Sequence, residues 1–415
     1  MLKKSENIFH LIIIFIITIL LIHSELIGNL IWKLDPLIYK VFGDHNTPID
    51  WLQCHSLGID LFTNEKIECG IGKEISKFNY GYIFLSIPYN KVLDIFYREY
   101  LPYTVIFLFI FMSIKITNPK KKVEKLIIYL ALLNPSTLLL VERLNFDIFV
   151  YLASILIALN RIYFLNWFIT FYLTLIKIYP IILFATIFIE NNKRSLSNIF
   201  LVTFFITSFS ILYLFYFKEY YIFFIKNLGA GKAGYHYLFS LNSIPKIFKY
   251  LFDFNYQILL IIFYSLFIYL ITKVYKNLGS LQSYLENNIY TQDSKLFIIG
   301  SFTCVICFFI FSNYFYREVF LILIIPHVIN LKNNSKNNIL NFLMYFLIIR
   351  YFYLFLYSYI NIHDGINHID GVRVFSKEFL LVIFIKALFD FILMSIISGI
   401  LYLKIKILIK NKITN

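Results

Sequence analysis

The sequence predicts an all-helical protein built as a polytopic bundle of transmembrane helices. Hydrophobic residues make up 60% of the 415 residues and charged residues only 15%, with a mean hydropathy of +0.73. Soluble domains have apolar and charged fractions nearer one half and one quarter. Apolar segments also recur along most of the chain at lengths near the roughly 20 residues that span a bilayer. These observations exclude a soluble globular domain.

The apolar segments divide the chain into about twelve membrane helices, within a range of about ten to thirteen. We expect the N-terminal segment to stay as a membrane helix, because the first alanine is Ala131 and no small-residue cleavage site follows the segment. Pro135 and Pro180 are expected to break the shorter segments. The predicted segments are 8–31, 100–117, 126–141, 147–164, 165–179, 180–191, 197–217, 255–275, 295–312, 317–331, 338–360 and 378–403.

Lysine and arginine residues between the segments orient the bundle. Those in short loops fall on one side of the alternating topology, which the positive-inside rule places in the cytoplasm together with both termini. We assign the net charge of +14 to these helix ends and expect no nucleic-acid binding. The prediction is one integral-membrane domain over residues 1–415, with long extracytoplasmic loops at 32–99, 218–254 and 361–377. The short-loop cations are Lys120, Lys121, Lys122, Lys125, Arg161, Lys193, Arg194, Lys332, Lys336, Lys404, Lys406, Lys410 and Lys412.

The four cysteines fall into two pairs, and we expect a different role for each pair. Cys54 and Cys69 share the first outer loop, where an oxidising compartment could join them in a disulfide. Cys304 and Cys307 have CxxC spacing but lie inside an apolar segment. Free cysteine behaves there as a small hydrophobe, so we expect no redox or zinc role for this pair.

The first outer loop carries carboxylates just outside the first membrane segment. Asp50 precedes the stretch WLQCHSLGIDLF, in which Gly58 is expected to end a short helix. A carboxylate here can meet a substrate that arrives along the membrane surface, although a solvated loop aspartate has the same sequence signature. Asp35, Asp44 and Asp60 are alternatives for the same role.

A second polar cluster interrupts two apolar segments in the stretch NPSTLLLVERLNFDIFVYL. Glu142, Arg143, Asn145 and Asp147 lie there at the predicted outer interface. Because the hairpin between the two segments is short, we expect these side chains to be held against protein and to pair with one another.

Two further cations lie at predicted outer ends of segments. Lys177 and Tyr179 belong to the stretch LTLIKIYPIILF, where an ammonium group could snorkel or bind a lipid-linked phosphate. Arg317 belongs to SNYFYRE and offers a planar fork suited to phosphate. Tyr314 and Tyr316 beside it could lie against a sugar ring or anchor in the lipid headgroups.

Three charges fall within predicted membrane segments. Lys386 and Asp390 have the i, i+4 spacing that lets them neutralise one another on a helix, and we interpret them as structural. Arg350 has no local partner, so it is expected to face the bundle interior or a wet cavity.

The order of these motifs resembles bacterial integral-membrane glycosyltransferases of the glycosyltransferase 87 family, within the GT-C superfamily. The resemblance extends over residues 1–335. Members of the family often carry Glu-Arg-Gly-Asn where this chain has Glu142, Arg143, Leu144 and Asn145. The resemblance rests on these sequence motifs: Asp50 with HSLGIDLF, FNYGYIFLSIPY, ERLNFDIFVYL, LIKIYP and NYFYRE.

The resemblance implies a GT-C-like bundle in the bacterial inner membrane and a polyprenyl-phosphate-sugar donor. The implied active site is extracytoplasmic, with an essential acid in the first outer loop that Asp50 matches best. The expected reaction moves a hexose or pentose, mannose-like, to a hydroxyl of a lipid- or glycan-linked acceptor with inversion. Asp50 takes the hydroxyl proton, while Lys177, Arg143 and Arg317 stabilise the leaving lipid phosphate.

The remaining polar residues of these motifs are expected to contact the substrates or surrounding membrane lipid. No cofactor is required by this chemistry. A divalent cation stays an open alternative, although the sequence shows no compact cluster of carboxylates and histidines. The expected substrate-binding residues are Glu142, Asn145, Asp147, Tyr179, Tyr314 and Tyr316.

Two other function classes stay open from the sequence. A transporter or flippase for a lipid-linked sugar needs a polar path through the membrane centre, for which Arg350 is the strongest hint. A polysaccharide polymerase or ligase of another membrane fold would also use outer-face arginines and a long outer loop. A structural scaffold leaves the charges at the outer helix ends unexplained.

Overall fold

Helices dominate the structure, as the composition predicts. Strands in the described residues are confined to three short antiparallel pairs, Ile67–Glu68 with Glu74–Ile75, Leu238–Phe239 with Asn313–Tyr314, and Ile366–Ile369 with Val372–Phe375. The computed structural model describes residues 2–24, 41–61, 67–68, 74–75, 82–160, 162–177, 179–189, 204, 207–208, 211, 238–310, 313–335, 337–363, 366–369, 372–375 and 377–414.

The helices are numbered in chain order. Short 3-10 helices cover Tyr82–Ser86, Tyr179–Ile189, Gly279–Leu281 and Phe315–Leu323, and a π-helical stretch, Phe96–Tyr100, joins α3 to α4. The α-helices are α1 (Leu2–His23), α2 (Gly43–Ser56), α3 (Lys91–Ile95), α4 (Leu101–Thr117), α5 (Lys122–Leu133), α6 (Pro135–Arg143), α7 (Asp147–Leu159), α8 (Tyr163–Ile176), α9 (Ser243–Phe252), α10 (Tyr256–Asn277), α11 (Gln282–Asn288), α12 (Gln292–Ile310), α13 (Ile325–Asn334), α14 (Asn338–His363) and α15 (Lys377–Thr414).

Within the described residues, five helical stretches are long and apolar enough to cross a membrane. A sixth is present if α5 and α6, which are bent by 46°, count as one span. Pro135 explains the bend, because proline fits the first turn of a helix but not its interior. Asn134 caps the second half by accepting hydrogen bonds from the backbone of Ser136 and Thr137. The five stretches are Lys91–Thr117, Tyr256–Asn277, Gln292–Phe309, Asn338–Ile360 and Phe379–Asn411.

Several predicted segments differ from the observed helices. The region 126–191, predicted as four spans, contains the short helices α5 to α8 and the 3-10 helix Tyr179–Ile189. The segment 317–331 is a 3-10 helix followed by α13, and most of 197–217 lies outside the described residues. α15 continues beyond the predicted end at residue 403, so Lys404, predicted in a cytoplasmic loop, is buried in that helix.

The chain divides into two compact units. Unit 1 comprises Met1–Val41, Leu108–Glu142 and Ala233–Asn415, and unit 2 comprises Phe42–Phe107 and Arg143–Lys232. The single domain predicted over residues 1–415 is therefore subdivided at the level of packing. Each unit is described separately below.

Unit 1 is organised around α15, which packs against α9, α10, α11, α12 and α14. Two glycines allow close approach in this unit. An added Cβ at Gly399 would lie 2.5 Å from Cγ1 of Val274 in α10, and one at Gly300 would lie 2.8 Å from the backbone oxygen of Phe320. Small residues at helix contacts are the usual means of close packing in membrane bundles.

Four of the charged side chains that unit 1 buries form one cluster, to which three elements contribute. Arg350 contacts Glu318 at 2.5 Å and Asp390 at 2.6 Å. Lys386 contacts Asp390 at 2.8 Å and Glu318 at 3.2 Å. All four are at most 3% exposed. The i, i+4 pair expected from the sequence is present, and Arg350 faces the interior as expected.

Unit 2 is built around α2. Its apolar side chains Ile49, Trp51 and Leu52 pack in one core with Phe84 of a 3-10 helix and Ile176 at the end of α8. The predicted first outer loop, 32–99, is therefore partly helical, since it includes α2, α3 and part of the π-helical stretch. The second predicted outer loop, 218–254, ends in α9, and its first part lies outside the described residues.

Candidate active site

Helix α2 presents two partly exposed carboxylates, Asp44 and Asp50, which are 26% and 19% exposed. The apolar side chains Ile49, Trp51 and Leu52 of this helix enter the unit 2 core, whereas its two acidic side chains stay partly exposed. It ends where expected, at Gly58, whose φ of 76° is the left-handed conformation that favours glycine after a helix. The rigid α2 backbone fixes the spacing of the two acids.

Asp50 is held by an arginine that the sequence did not single out. Nη2 of Arg98 donates a hydrogen bond of 2.5 Å to Oδ1 of Asp50, and Nε of the same guanidinium donates one of 2.6 Å to Oδ1 of Asp94. The three side chains are between 19% and 26% exposed. One cation thus joins two carboxylates in a partly desolvated setting.

His45 fastens α2 to the π-helical stretch that carries Arg98. Its Nε2 lies 2.8 Å from the backbone oxygen of Tyr97, and its ring stacks on the Tyr97 ring at 3.9 Å with an interplanar angle of 2°. Since a carbonyl only accepts hydrogen bonds, Nε2 must carry the proton. Burial lowers the pKa of His45 from 6.5 to about 4, which outweighs the opposing effect of that hydrogen bond, and Arg98 lowers it further.

Asp44 is joined to the turn between α6 and α7. Nε of Arg143 donates to Oδ1 of Asp44 at 3.1 Å, and Nδ2 of Asn145 donates to Oδ2 at 2.7 Å. The turn between Arg143 and Asn145 consists of Leu144. Its φ of 44° lies in the left-handed region.

The conformation of Leu144 is sustained by burial of its side chain, which is 1% exposed. A left-handed leucine costs about 1–2 kcal/mol. Burying a leucine side chain contributes about 1.5–3 kcal/mol. The two effects are of similar size, so a buried leucine can occupy this left-handed position.

The same turn is connected to the segment that follows α8. Nζ of Lys177 donates to Oδ1 of Asn145 at 3.3 Å and lies 3.4 Å from Oδ1 of Asp147. The hydroxyl of Tyr179 donates to the same Asp147 oxygen at 2.6 Å. Lys177 also lies over the ring of Phe146, 5.3 Å from its centre. Asp147 is completely buried, whereas Lys177 is 17% exposed.

One polar network in unit 2 therefore joins Asp44 to five of the predicted site residues, Arg143, Asn145, Asp147, Lys177 and Tyr179, whereas Asp50 contacts Arg98 instead. It includes two carboxylates and two cations, and Asn145 connects them through both ends of its amide. The expectation that Arg143, Asn145 and Asp147 pair among themselves is only partly met. Asn145 Oδ1 does accept the backbone N–H of Asp147 at 3.1 Å, but Arg143 contacts Asp44 of α2.

The other predicted site residues lie elsewhere. Glu142 is assigned to unit 1, where it is 4% exposed. Arg317 is half-buried in the 3-10 helix Phe315–Leu323 of unit 1, which Tyr316 also joins, and Tyr314 pairs through its backbone with Leu238. Their predicted roles stay predictions.

Two predicted features involve residues outside the described part of the chain. Cys54 is disulfide-bonded, but Cys69 lies outside the described residues, so the pairing between the two stays a prediction. Asp35, one of the alternative acids, is outside them as well. Asp60 is described and exposed. Among the described residues, no group of three histidine, cysteine or acidic side chains is arranged to hold a metal ion.

Sequence reasoning missed Asp94, Arg98 and His45. A signal for the first two was present, because Asp94 and Arg98 have the i, i+4 spacing of a helical ion pair, and Asn90 before them caps the helix through Leu93. Because residues 32–99 were interpreted as a loop, the spacing of Asp94 and Arg98 was not recognised as a helical ion pair. Nothing in the local sequence marks His45, whose partner is 52 residues away.

Comparison of the chain with protein-family models, with curated proteins and with solved structures finds no match.

Proposed function

We propose that this protein is an integral-membrane glycosyltransferase. It moves a hexose or pentose from a polyprenyl-phosphate-sugar donor to a hydroxyl of a lipid- or glycan-linked acceptor, on the extracytoplasmic side. The observation that carries the proposal is the polar network of unit 2, in which Arg143 contacts the partly exposed Asp44 of α2 and Lys177 contacts the buried Asp147 of α7. Sugar transfer from a lipid phosphate needs both a base and a group that stabilises the departing phosphate.

In the proposed reaction, Asp50 accepts the proton of the acceptor hydroxyl as its oxygen forms a bond to the anomeric carbon. The bond from that carbon to the phosphate oxygen breaks, and the configuration inverts. The lipid phosphate leaves as an anion, so it needs no general acid. Lys177, 17% exposed, and Arg143, 39% exposed, are accessible to stabilise its charge.

Asp44 is the main competitor of Asp50 for the role of base. It lies on the same helix and is slightly more exposed. However, both of its oxygens accept hydrogen bonds, from Arg143 and Asn145. Only one oxygen of Asp50 is engaged, by Arg98. We therefore assign proton transfer to Asp50 and the orientation of Arg143 to Asp44.

The structure weakens the main argument for a transporter. That alternative depended on Arg350 as an unpaired charge in the membrane centre. Arg350 instead contacts Glu318 and Asp390, and Lys386 balances the second carboxylate. A buried set of two cations and two anions has no net charge, so it does not by itself indicate a path for a charged substrate.

The proposal is tested by incubating the purified protein in proteoliposomes with polyprenyl-phosphate hexoses and pentoses and a panel of hydroxyl acceptors. Release of the lipid phosphate and the anomeric configuration of the product are measured together. We expect acceptor-dependent release from at least one donor and an inverted product. Release from none of the donors, or a product that retains the donor configuration, would contradict the proposal.

A further inference from the structure

The π-helical stretch Phe96–Tyr100 lies where the helix that begins at Lys91 passes α2. A π turn spaces its backbone hydrogen bonds at i, i+5, which changes the direction of the side chains on either side of it and is frequent at functional sites. His45 donates to the Tyr97 carbonyl inside this stretch and stacks on the Tyr97 ring. The π turn is thus attached to α2 through the contact between His45 and Tyr97.

The next residue, Arg98, makes the second connection to α2. Its guanidinium contacts Asp50 at 2.5 Å through Nη2 and Asp94 at 2.6 Å through Nε. The two contacts from α2, His45 to Tyr97 and Asp50 to Arg98, involve consecutive residues of the turn. In the described part of the chain, Oδ2 of Asp50 has no hydrogen-bond partner.

This arrangement distinguishes Arg98 from the cations assigned to the donor phosphate. Arg98 is already engaged by two carboxylates, so the group of three carries a net charge of −1 and repels an anion. A planar guanidinium with donors at fixed angles is better suited to orient a carboxylate than a flexible ammonium group would be. Its contact leaves the second oxygen of Asp50 available.

We propose that Arg98 is a positioning residue for Asp50, oriented by Asp94 and by the π turn that His45 holds. Arg98 fixes Oδ1, and Oδ2 accepts the acceptor proton. The inference rests on the proposed function, since Asp50 is the base of that reaction. It adds three residues to the site, none of which contacts the reacting atoms.

The test compares Arg98→Gln, Arg98→Lys and Asp94→Asn with the unmodified protein in proteoliposomes, using a donor that supports transfer. For Arg98→Gln we expect kcat to fall about tenfold or more because Asp50 loses its orientation. The KM for the donor should stay within about threefold, since no donor contact is removed.

The other two variants separate orientation from charge and from a general loss of folding. Arg98→Lys keeps the charge but not the planar fork, so it should restore only part of kcat. Asp94→Asn keeps the contact to Asp50 and should lower kcat less than Arg98→Gln. Glu286→Gln, which removes an ion pair with Lys410 at 3.6 Å in unit 1, is the matched control and should change neither parameter. A rise in donor KM with kcat unchanged, or a kcat of Arg98→Lys no higher than that of Arg98→Gln, would overturn the inference.

A measurement independent of catalysis separates the two proposals. Carbodiimide labelling of Asp50, followed by peptide mass spectrometry, should be faster in Arg98→Gln than in the unmodified protein, because the guanidinium no longer covers Oδ1. Equal labelling rates would show that Arg98 does not hold Asp50. Faster labelling in a protein that transfers no sugar would contradict the proposed function while the contact itself stands.

Discussion

Charged residues are tolerated in an apolar interior when they pair with one another. Unit 1 has such a buried set, formed by Arg350, Glu318, Lys386 and Asp390. Each is at most 3% exposed, and each contacts two groups of opposite charge. Removing one member of such a set leaves an uncompensated buried charge, which costs about 3–5 kcal/mol. The set joins α14, α15 and the 3-10 helix Phe315–Leu323, so the cost falls on the packing of all three elements.

We predict that Glu318→Gln destabilises unit 1 by about 3–5 kcal/mol, because Arg350 and Lys386 then face Asp390 alone. The measurement is the unfolding transition of the purified protein in a single detergent. Glu286→Gln is the control, since Glu286 contacts Lys410 and Gln282 near the surface, and the change should cost less than about 1 kcal/mol. Equal stability of the two variants would contradict the account of the buried set.

His45 gives a pH-dependent contribution at the residue scale. Its pKa falls from 6.5 in an exposed chain to about 4 in the folded protein. Between these values the unfolded chain binds a proton that the folded protein does not. The contribution of neutral His45 to the free energy of unfolding is therefore complete above pH 6.5 and decreases as the pH falls toward 4. It amounts to roughly 3 kcal/mol at most.

The corresponding prediction compares the unmodified protein with His45→Gln, whose amide can donate to Tyr97 but does not titrate. As the pH is lowered from 7 to 4, the unmodified protein should lose about 3 kcal/mol more stability than the variant. Thermal unfolding at a series of pH values measures the difference. Parallel pH dependences would mean that His45 is not held neutral in the folded protein.

At the scale of elements, α15 is fixed by close contact with α10. Helix α10 has a single buried residue, Phe267, and most of its apolar surface is exposed, which fits a helix that faces lipid. The contact with α15 is therefore its main attachment. At Gly399 the two backbones are too close for a side chain, because an added Cβ would meet Val274 at 2.5 Å.

We predict that Gly399→Ala lowers the stability of the protein by about 1–3 kcal/mol, since overpacking forces the two helices apart. Gly279→Ala is the matched control, because nothing lies within 4 Å of its added Cβ. Unfolding of both variants in the same detergent gives the comparison. A Gly399→Ala protein as stable as the control would mean that the helices separate at little cost.

The long helices could be predicted from the sequence because composition alone defines them. The segments predicted at 255–275 and 338–360 correspond to α10 and α14 within a few residues. The region 126–191 could not be resolved, since prolines and polar residues divide its apolar character into helices too short to span a membrane individually. The predicted segment 100–117 corresponds to α4. The earlier start of this span, at Lys91, was missed because its first turns carry charged residues.

The candidate site was predictable in its residue types but not in its pairing. Lys177, Asp147 and Tyr179 come together, and the polar turn and the Lys-Tyr-Pro stretch already marked them. The contact between Asp44 and Arg143 spans 99 positions, and that between Arg350 and Asp390 spans 40. Such pairs depend on tertiary packing, for which local spacing gives no signal.

At the scale of the whole molecule, unit 1 contributes a further observation on topology. Nζ of Lys121 donates to Oδ1 of Asn333 at 2.6 Å, and Asn333 donates to Glu124. The two loops that the positive-inside rule places in the cytoplasm, near residues 120 and 332, are thus neighbours. Both loops therefore lie on one side of unit 1, and the assignment of that side to the cytoplasm stays a prediction.

The most direct test of the central claim is sugar transfer by Asp50→Asn, compared with Asp44→Asn, in proteoliposomes that contain equal amounts of inserted protein. If Asp50 is the base, Asp50→Asn should reduce transfer by at least about 10²-fold. Asp44→Asn should retain measurable transfer with a raised KM for the donor, because Arg143 loses its orientation. Transfer by Asp50→Asn near the level of the unmodified protein would contradict the account.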